Sequence, residues 1–254
     1  MFRPRVIPVL LLKNKGLVKS VNFKNYRYIG DPINAVKIFN DLRADELVFL
    51  DILASKENRT ISIEFVRQVG DEANMPFAVG GGIKTLNTIE EVIKAGAEKV
   101  VINTYGIQNP DFIKEASENF GSSTIVVSID VKKNIFRKER VYVYGGSKIS
   151  TYNPLDLAKL LEEKGAGEIF LTSIDKEGTM SGYDFELIKQ IASNVSIPVI
   201  AHGGAGSLND LKKAVKKAYA SAVAAGSLFV YHGPRKAVLI NYPTQEELRK
   251  LFFL

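Results

Sequence analysis

The sequence predicts a (β/α)8 barrel, and three observations carry that expectation. Eight short apolar runs alternate with amphipathic segments along 254 residues. The runs are continuously apolar, the pattern of parallel strands buried on both faces. Two glycine turns also recur in register. Gly80-Gly81-Gly82 and Gly203-Gly204 each follow an apolar strand and lead into a helix opening with Leu-Asn, at Leu86-Asn87 and Leu208-Asn209, an offset of 122 residues. The same shift lays Glu46-Leu-Val-Phe-Leu on Glu168-Ile-Phe-Leu-Thr. The chain therefore reads as one barrel domain over 1–254, duplicated from half-barrels of about 1–122 and 123–254.

Each unit has its own justification. Strand 6–12 is an apolar run ended by Lys13, and Pro32 after Asp31 opens helix 32–42. Strand 47–50 lies between Glu46 and Asp51 and precedes the amphipathic segment 60–73. Strand 76–79 ends in the first glycine turn, followed by helix 86–95. Strand 100–102 follows Lys99 and precedes helix 110–119. Strand 124–129 ends at Asp130, and Asn153-Pro154 opens helix 154–164. Strand 169–172 precedes helix 185–193, and strand 198–201 ends in the second glycine turn. Ser207 with Asp210 three residues on starts helix 208–217. Strand 222–225 is last, and Thr244 with Glu247 starts helix 245–252. A doubly wound sheet would need a glycine fingerprint at its first crossover, which this chain lacks. Two long loops, 14–30 and 132–153, are expected to leave the carboxyl ends of strands one and five, where barrel enzymes place active sites.

With 46% hydrophobic residues the chain can bury a large core, and a formal charge of +6 with pI near 9.2 implies affinity for anions. The lysine-dense stretches 132–140 and 212–217 carry no nucleic-acid motif, so no nucleic acid is expected as a partner and a solvated face is the reading of both. There are no cysteines, which excludes disulfides, thiolate metal sites and cysteine nucleophiles. No metal or organic cofactor is expected. The apolar start ends at Lys13 without a cleavage site, and no run approaches the eighteen residues of a membrane span. A soluble, cytoplasmic protein is the expectation.

The strand ends sort the chemistry. On the carboxyl-terminal side stand Lys19 in the first loop, Asp51, Gly81 and Gly82, Asn103 and Thr104, Asp130, Thr172 with Asp175 and Gly178, His202 with Gly203 and Gly204, and Ala225 with Gly226. Glycine turns leading into helix N-termini can cradle phosphate, so two phosphate sites are expected, one in each half. Asp130, a carboxylate at the end of a buried strand among amide and hydroxyl donors, is the candidate acid/base. His202 reads as a packed turn histidine, and His232 has no partner in sequence. At the opposite end the strands begin with Arg5, Glu46, Lys99 and Glu168, two cations and two anions that can pair as a plug or a gate.

Arg5-Val-Ile-Pro, Lys19, Gly30-Asp-Pro, Val79-Gly-Gly-Gly-Ile, Lys99-Val-Val-Ile-Asn-Thr, Ser128-Ile-Asp130, Leu171-Thr-Ser-Ile-Asp-Lys-Glu-Gly and Gly203-Gly-Ala-Gly resemble the cyclase subunit of imidazole glycerol phosphate synthase, HisF, over about residues 3 to 230. The resemblance implies a barrel that receives ammonia from a glutaminase subunit, HisH, docked at the amino-terminal mouth. The ammonia passes along the barrel axis to a bisphosphorylated aminoimidazole carboxamide nucleotide, which is cleaved and cyclised. It also implies that Arg5, Glu46, Lys99 and Glu168 form the ammonia gate. Gly82, Asn103, Thr104, Gly204 and the Ala225-Gly226 turn would contact phosphate, and Asp130 would be the second catalytic aspartate.

One departure dominates. Where the family ends strand one in an aspartate, this chain reads Val9-Leu10-Leu11-Leu12-Lys13. The internal repeat shows the same gap, because Leu10-Leu11-Leu12-Lys13 aligns on Ile129-Asp130-Val131-Lys132. Leu11 cannot transfer a proton. This feature and the ending after Ser227 resemble HisF paralogues of surface-polysaccharide synthesis, which implies a HisH-like glutaminase and a third, sugar-modifying amidotransferase as partners. The histidine-pathway cyclase and a non-catalytic scaffold that activates the glutaminase stand as alternatives.

Overall fold

The computed structural model describes residues 3–253; Met1 and Phe2 of the apolar start, and Leu254, lie outside the described residues. Its strands are β1 (Arg5–Lys13), β2 (Gly16–Val21), β3 (Lys24–Gly30), β4 (Leu47–Asp51), β5 (Phe77–Gly80), β6 (Lys99–Ile102), β7 (Ile125–Lys133), β8 (Glu139–Val143), β9 (Lys148–Ile149), β10 (Glu168–Ser173), β11 (Val199–His202), β12 (Ala222–Ala225), β13 (Tyr231–His232) and β14 (Ala237–Val238). Its helices are α1 (Pro32–Asp41), α2 (Ile63–Glu72), α3 (Leu86–Lys94), α4 (Thr104–Gln108), α5 (Pro110–Phe120), α6 (Pro154–Glu163), α7 (Phe185–Ala192), α8 (Leu208–Ala218), α9 (Ser227–Val230) and α10 (Gln245–Phe253). No helix of the described residues is long and apolar enough to cross a membrane.

Eight strands pair in parallel in the order β1-β4-β5-β6-β7-β10-β11-β12. β12 pairs back onto β1, from Arg5 opposite Ala222 to Pro8 opposite Ala225, which closes the (β/α)8 barrel.

The two-residue period of a strand divides the core in two. Val6, Leu10 and Leu12 of β1 face outward into a large apolar shell under the helices, with Phe39, Phe49 and Ile89. Ile7, Val9 and Leu11 face inward, into a second apolar cluster with Val48, Val101 and Phe170. The charged residues that open the strands share the inner parity: Arg5 is two residues before Ile7, Glu46 two before Val48, Lys99 two before Val101 and Glu168 two before Phe170. Four of the eight inward columns thus begin charged, run apolar and end at the carboxyl-terminal face.

The expected loops fold further than the sequence suggested. Residues 14–30 form the antiparallel hairpin β2–β3, turned by Asn22 and Phe23, both at positive φ. That is the geometry of a tight two-residue turn, which asparagine accepts readily and phenylalanine only under strain. Residues 132–153 carry β8 and β9, which pair antiparallel beyond Asp130. Helix 60–73 starts later than expected, at Ile63, because the Ser62 hydroxyl caps it by accepting from the Phe65 amide. Two short helices not foreseen, α4 and α9, follow β6 and β12 directly.

The eighth unit departs most. After α9 the chain makes the small hairpin β13–β14 and then descends the outside of the barrel, where the Tyr242 hydroxyl donates to the Val6 carbonyl at 2.8 Å. α10 therefore begins at the amino-terminal face, with Gln245 Nε2 donating to the Arg43 carbonyl.

Candidate functional site

At the amino-terminal mouth the four charges form a closed ring. Arg5 bonds Glu46 through one guanidinium nitrogen and Glu168, at 2.6 Å, through the other. Lys99 lies 3.2 Å from Glu168 and 3.9 Å from Glu46. Burial works against the Arg5 charge, yet the two carboxylates outweigh it and hold its pKa above the ordinary value. Burial pushes Glu46 upward despite both cations. The Arg5 side chain, 31% exposed, lets water share the load.

At the other end of the apolar lumen a cleft of about 400 Å³ opens between the carboxyl ends of the strands. It brings together many of the expected residues: Asp51, Gly81, Gly82, Asn103, Thr104, Asp130 and Thr172, with Leu11 in the wall. Asp130 is 8% exposed. Burial pushes its carboxyl up to about 7, opposed by the hydroxyls of Ser128 and Thr172 and the amide of Asn103. Those bonds are long, 3.4 Å from Ser128 Oγ and 3.3 Å from Asn103 Nδ2. A carboxyl that shares its proton near neutrality suits proton transfer.

Thr172 links Asp130 to a second group. Its hydroxyl lies 3.1 Å from His202 Nδ1, and His202 Nε2 lies 3.6 Å from Glu177. Burial lowers the His202 pKa, with Glu177 opposing, so the ring is neutral at physiological pH. His202, read from sequence as a packed turn residue, lines the cleft, and Nε2 has no hydrogen-bond partner among the described residues.

The two glycine turns are not equivalent. The first, with Asn103 and Thr104, faces the cleft, and the Thr104 hydroxyl also accepts from the Tyr144 amide at 3.0 Å. In the second, Gly203, Gly204, Ala225 and Gly226 are all buried and outside the cleft lining. Lys19 covers it. Expected in a loop, Lys19 lies instead on β2, fully buried, donating to the Val9 carbonyl at 2.6 Å. A β-carbon on Gly226 would fall 2.1 Å from Lys19 Nζ. Desolvation pushes this ammonium down to about 8.

Three expected residues have structural partners. Asp51 is bound by Arg59 at 2.5 Å and accepts from the amides of Leu53 and Ala54. Asp175 accepts from the Lys133 amide, tying the β7–β8 arm down. Gly178 lies against β2 so closely that a β-carbon would meet the Ser20 carbonyl at 1.9 Å. Both Asp175 and Gly178 are outside the cleft lining. The sequence reading missed Arg59, Glu177 and Tyr144, which line the cleft from loops whose path no local pattern announces.

Residues 5–234 match the family model described as histidine biosynthesis protein. The chain belongs to that family. Its relatives include a protein of Pseudomonas aeruginosa named "Putative imidazole glycerol phosphate synthase subunit hisF2", 49% identical over 98% of this chain and 99% of that one. A Leptospira interrogans protein named "Putative imidazole glycerol phosphate synthase subunit HisF" is 45% identical over the full length of both. The imidazole glycerol phosphate synthase subunit HisF of Alkaliphilus metalliredigens is 43% identical over 91% of this chain and 92% of its own. Among histidine biosynthesis proteins, this chain is HisF-like.

Proposed function

We propose that this HisF-like chain is the ammonia-receiving subunit of a glutamine amidotransferase complex, with a HisH-like glutaminase at the ionic mouth, and that it serves amidination of a surface-polysaccharide sugar. The observation that carries the reading is a contrast within one inward column. Arg5 belongs to a complete ring, while Leu11, three inward positions along the same strand, sits where an acid/base group is missing.

The lumen between ring and cleft is lined by Ile7, Val9, Val48, Ala78, Val101 and Phe170. Neutral ammonia can cross such a wall, whereas ammonium would have to leave its hydration shell at a cost of several kcal/mol. On arrival, Asp130 is placed to give or take a proton, and Thr172 and His202 extend the polar floor. A phosphorylated ligand would anchor at Gly82 and Thr104, which both line the cleft.

One assay tests the reading. Purified chain is given ammonia and the aminoimidazole nucleotide of the histidine pathway, and imidazole glycerol phosphate is measured. Turnover is expected to be absent or at least about 10²-fold below that of a subunit with both aspartates, the usual contribution of one proton-transfer group. Comparable turnover would return the chain to histidine synthesis. Stimulation of the glutaminase with no glutamine-dependent amidination of a sugar would leave only a scaffold.

A further inference from the structure

The positive charge of this protein is concentrated on one face. Three hairpin arms rise from the carboxyl-terminal end of the barrel: residues 21–30 after β1, 132–140 along β7 and β8, and 231–239 after β12. They hold nine lysines and arginines against one carboxylate, Glu139. The remainder of the chain has 25 cations and 27 anions, so the net +6 resides in these arms.

The arms are also apolar where they meet solvent. Of twelve large hydrophobic side chains exposed among the described residues, seven are on these 28 positions. Ile135 is 91% exposed and Phe136 75%, side by side at the tip of the β7–β8 arm; Tyr28 is 66% exposed and Leu239 55%. The first and third arms touch, with the Arg27 guanidinium 5.9 Å above the Tyr231 ring. Phe23 and Tyr26 of the first arm line the cleft, and the other two arms rise from the same end of the barrel.

Steering a small phosphorylated ligand into the cleft would account for the cations but not for Ile135 and Phe136, which point away from any core. A solvated face accounts for neither. Aromatic and aliphatic tips set among arginines and lysines are what a protein interface presents before its partner covers them, and the charge selects an acidic surface.

We propose that the three arms are the docking face for the enzyme that consumes the ammonia, a protein presenting an acidic surface with apolar pockets. This rests on the ammonia-transfer reading above. The chain is then held between two partners, the glutaminase on the ionic mouth and the acceptor enzyme on the arms, and the cleft between them is sealed from water.

The test uses the chain reconstituted with its glutaminase and with the sugar amidotransferase of the proposed complex. In I135D/F136D, glutaminase stimulation is read at the far face and should stay within about twofold of the parent, which also reports correct folding. Glutamine-dependent amidination should fall at least about tenfold, the scale of losing an aromatic anchor. Amidination driven by added ammonium chloride should be unchanged. Unaltered glutamine-dependent amidination in the variant overturns the docking face. If the parent chain supports no glutamine-dependent amidination at all, the ammonia-transfer reading fails and the docking face with it. Partitioning of the parent chain, but not the variant, onto phosphatidylglycerol vesicles would assign the arms to a membrane surface and overturn the proposal.

Discussion

At the amino-terminal mouth, Glu46 and Glu168 lie within reach of Arg5 and Lys99; at the cleft floor, Asp130 meets only amide and hydroxyl donors, and long ones. Both sets are buried to a similar degree, between 3% and 9% exposed for the three carboxylates. The difference is pairing. Full charges stand opposite one another in the ring, whereas neutral donors leave Asp130 free to exchange its proton near neutrality. The same barrel thus holds a charge-paired mouth at one end and a responsive group at the other, using carboxylates for both.

Lys99→Glu should break that comparison most severely, because three carboxylates would then face Arg5 alone. Losing one partner of a buried pair costs roughly 3–5 kcal/mol, with the exposed side of Arg5 favouring the low end. Urea unfolding gives the stability, and ammonia delivered per glutamine hydrolysed gives the transfer. We expect a folded variant whose transfer falls further than its stability. An unfolded variant, from a parent that never stimulates a HisH-like glutaminase, would make the ring a plug.

Asp130→Asn probes the other end. In the unfolded chain the carboxyl ionises near its ordinary 3.8, and in the folded chain at about 7. Below about pH 3 both states keep the proton and the residue is silent. As pH rises towards 7 the unfolded chain loses its proton first, so stability falls across that window by an amount on the order of 3–4 kcal/mol. The asparagine variant stays neutral, and should exceed the parent in stability at pH 8 and come close to it at about pH 3. An equal difference at both pH values would mean Asp130 is already ionised when folded.

Lys19→Met is expected to act in the same direction by less, about 1–3 kcal/mol. The folded ammonium releases its proton at about 8 and the unfolded one at the ordinary 10.5. Its cost is complete below pH 8 and gone above 10.5, so melting curves at pH 7 and pH 11 should show a gain only at the former. The smallest effect concerns the two glycine turns. Calorimetric titration with inorganic phosphate should find one site rather than two equal ones, since the second turn is buried outside the cleft lining. Thr104→Val should weaken that site by about tenfold, one hydrogen bond to a charged group. Two equivalent sites would show that the second turn opens freely.

The strands were legible because their signal is local. Each apolar run ends in a residue of opposite character, such as Leu12-Lys13 or Ile129-Asp130, and the observed strands lie within two residues of most of those limits. Leu11 was legible for a related reason, because the internal repeat lays it on Asp130. The hairpins were not legible. Asn22-Phe23 is a poor advertisement for a turn that usually takes glycine, and Phe23 holds its positive φ because the rest of the hairpin demands it. The Lys19, His202 and Glu177 arrangement was hidden for a different reason: three segments far apart in sequence meet only after closure, and burial, not spacing, sets the proton affinities of the lysine and the histidine.

The descent through Tyr242 bears on how the molecule assembles. The seam between β1 and β12 joins residues more than two hundred apart, and contacts of that span form slowly because the chain must first surrender its loop entropy. Tyr242 on the Val6 carbonyl ties the stretch after β12 to β1 from outside, and Gln245 on the Arg43 carbonyl ties it to the connection between α1 and β4. Both contacts come from the stretch that follows β12, so they form only after all eight barrel strands have been synthesised. A ribosome-bound chain that has not yet exposed this stretch therefore lacks the latch on its closing strand, and the seam is where unfolding should begin.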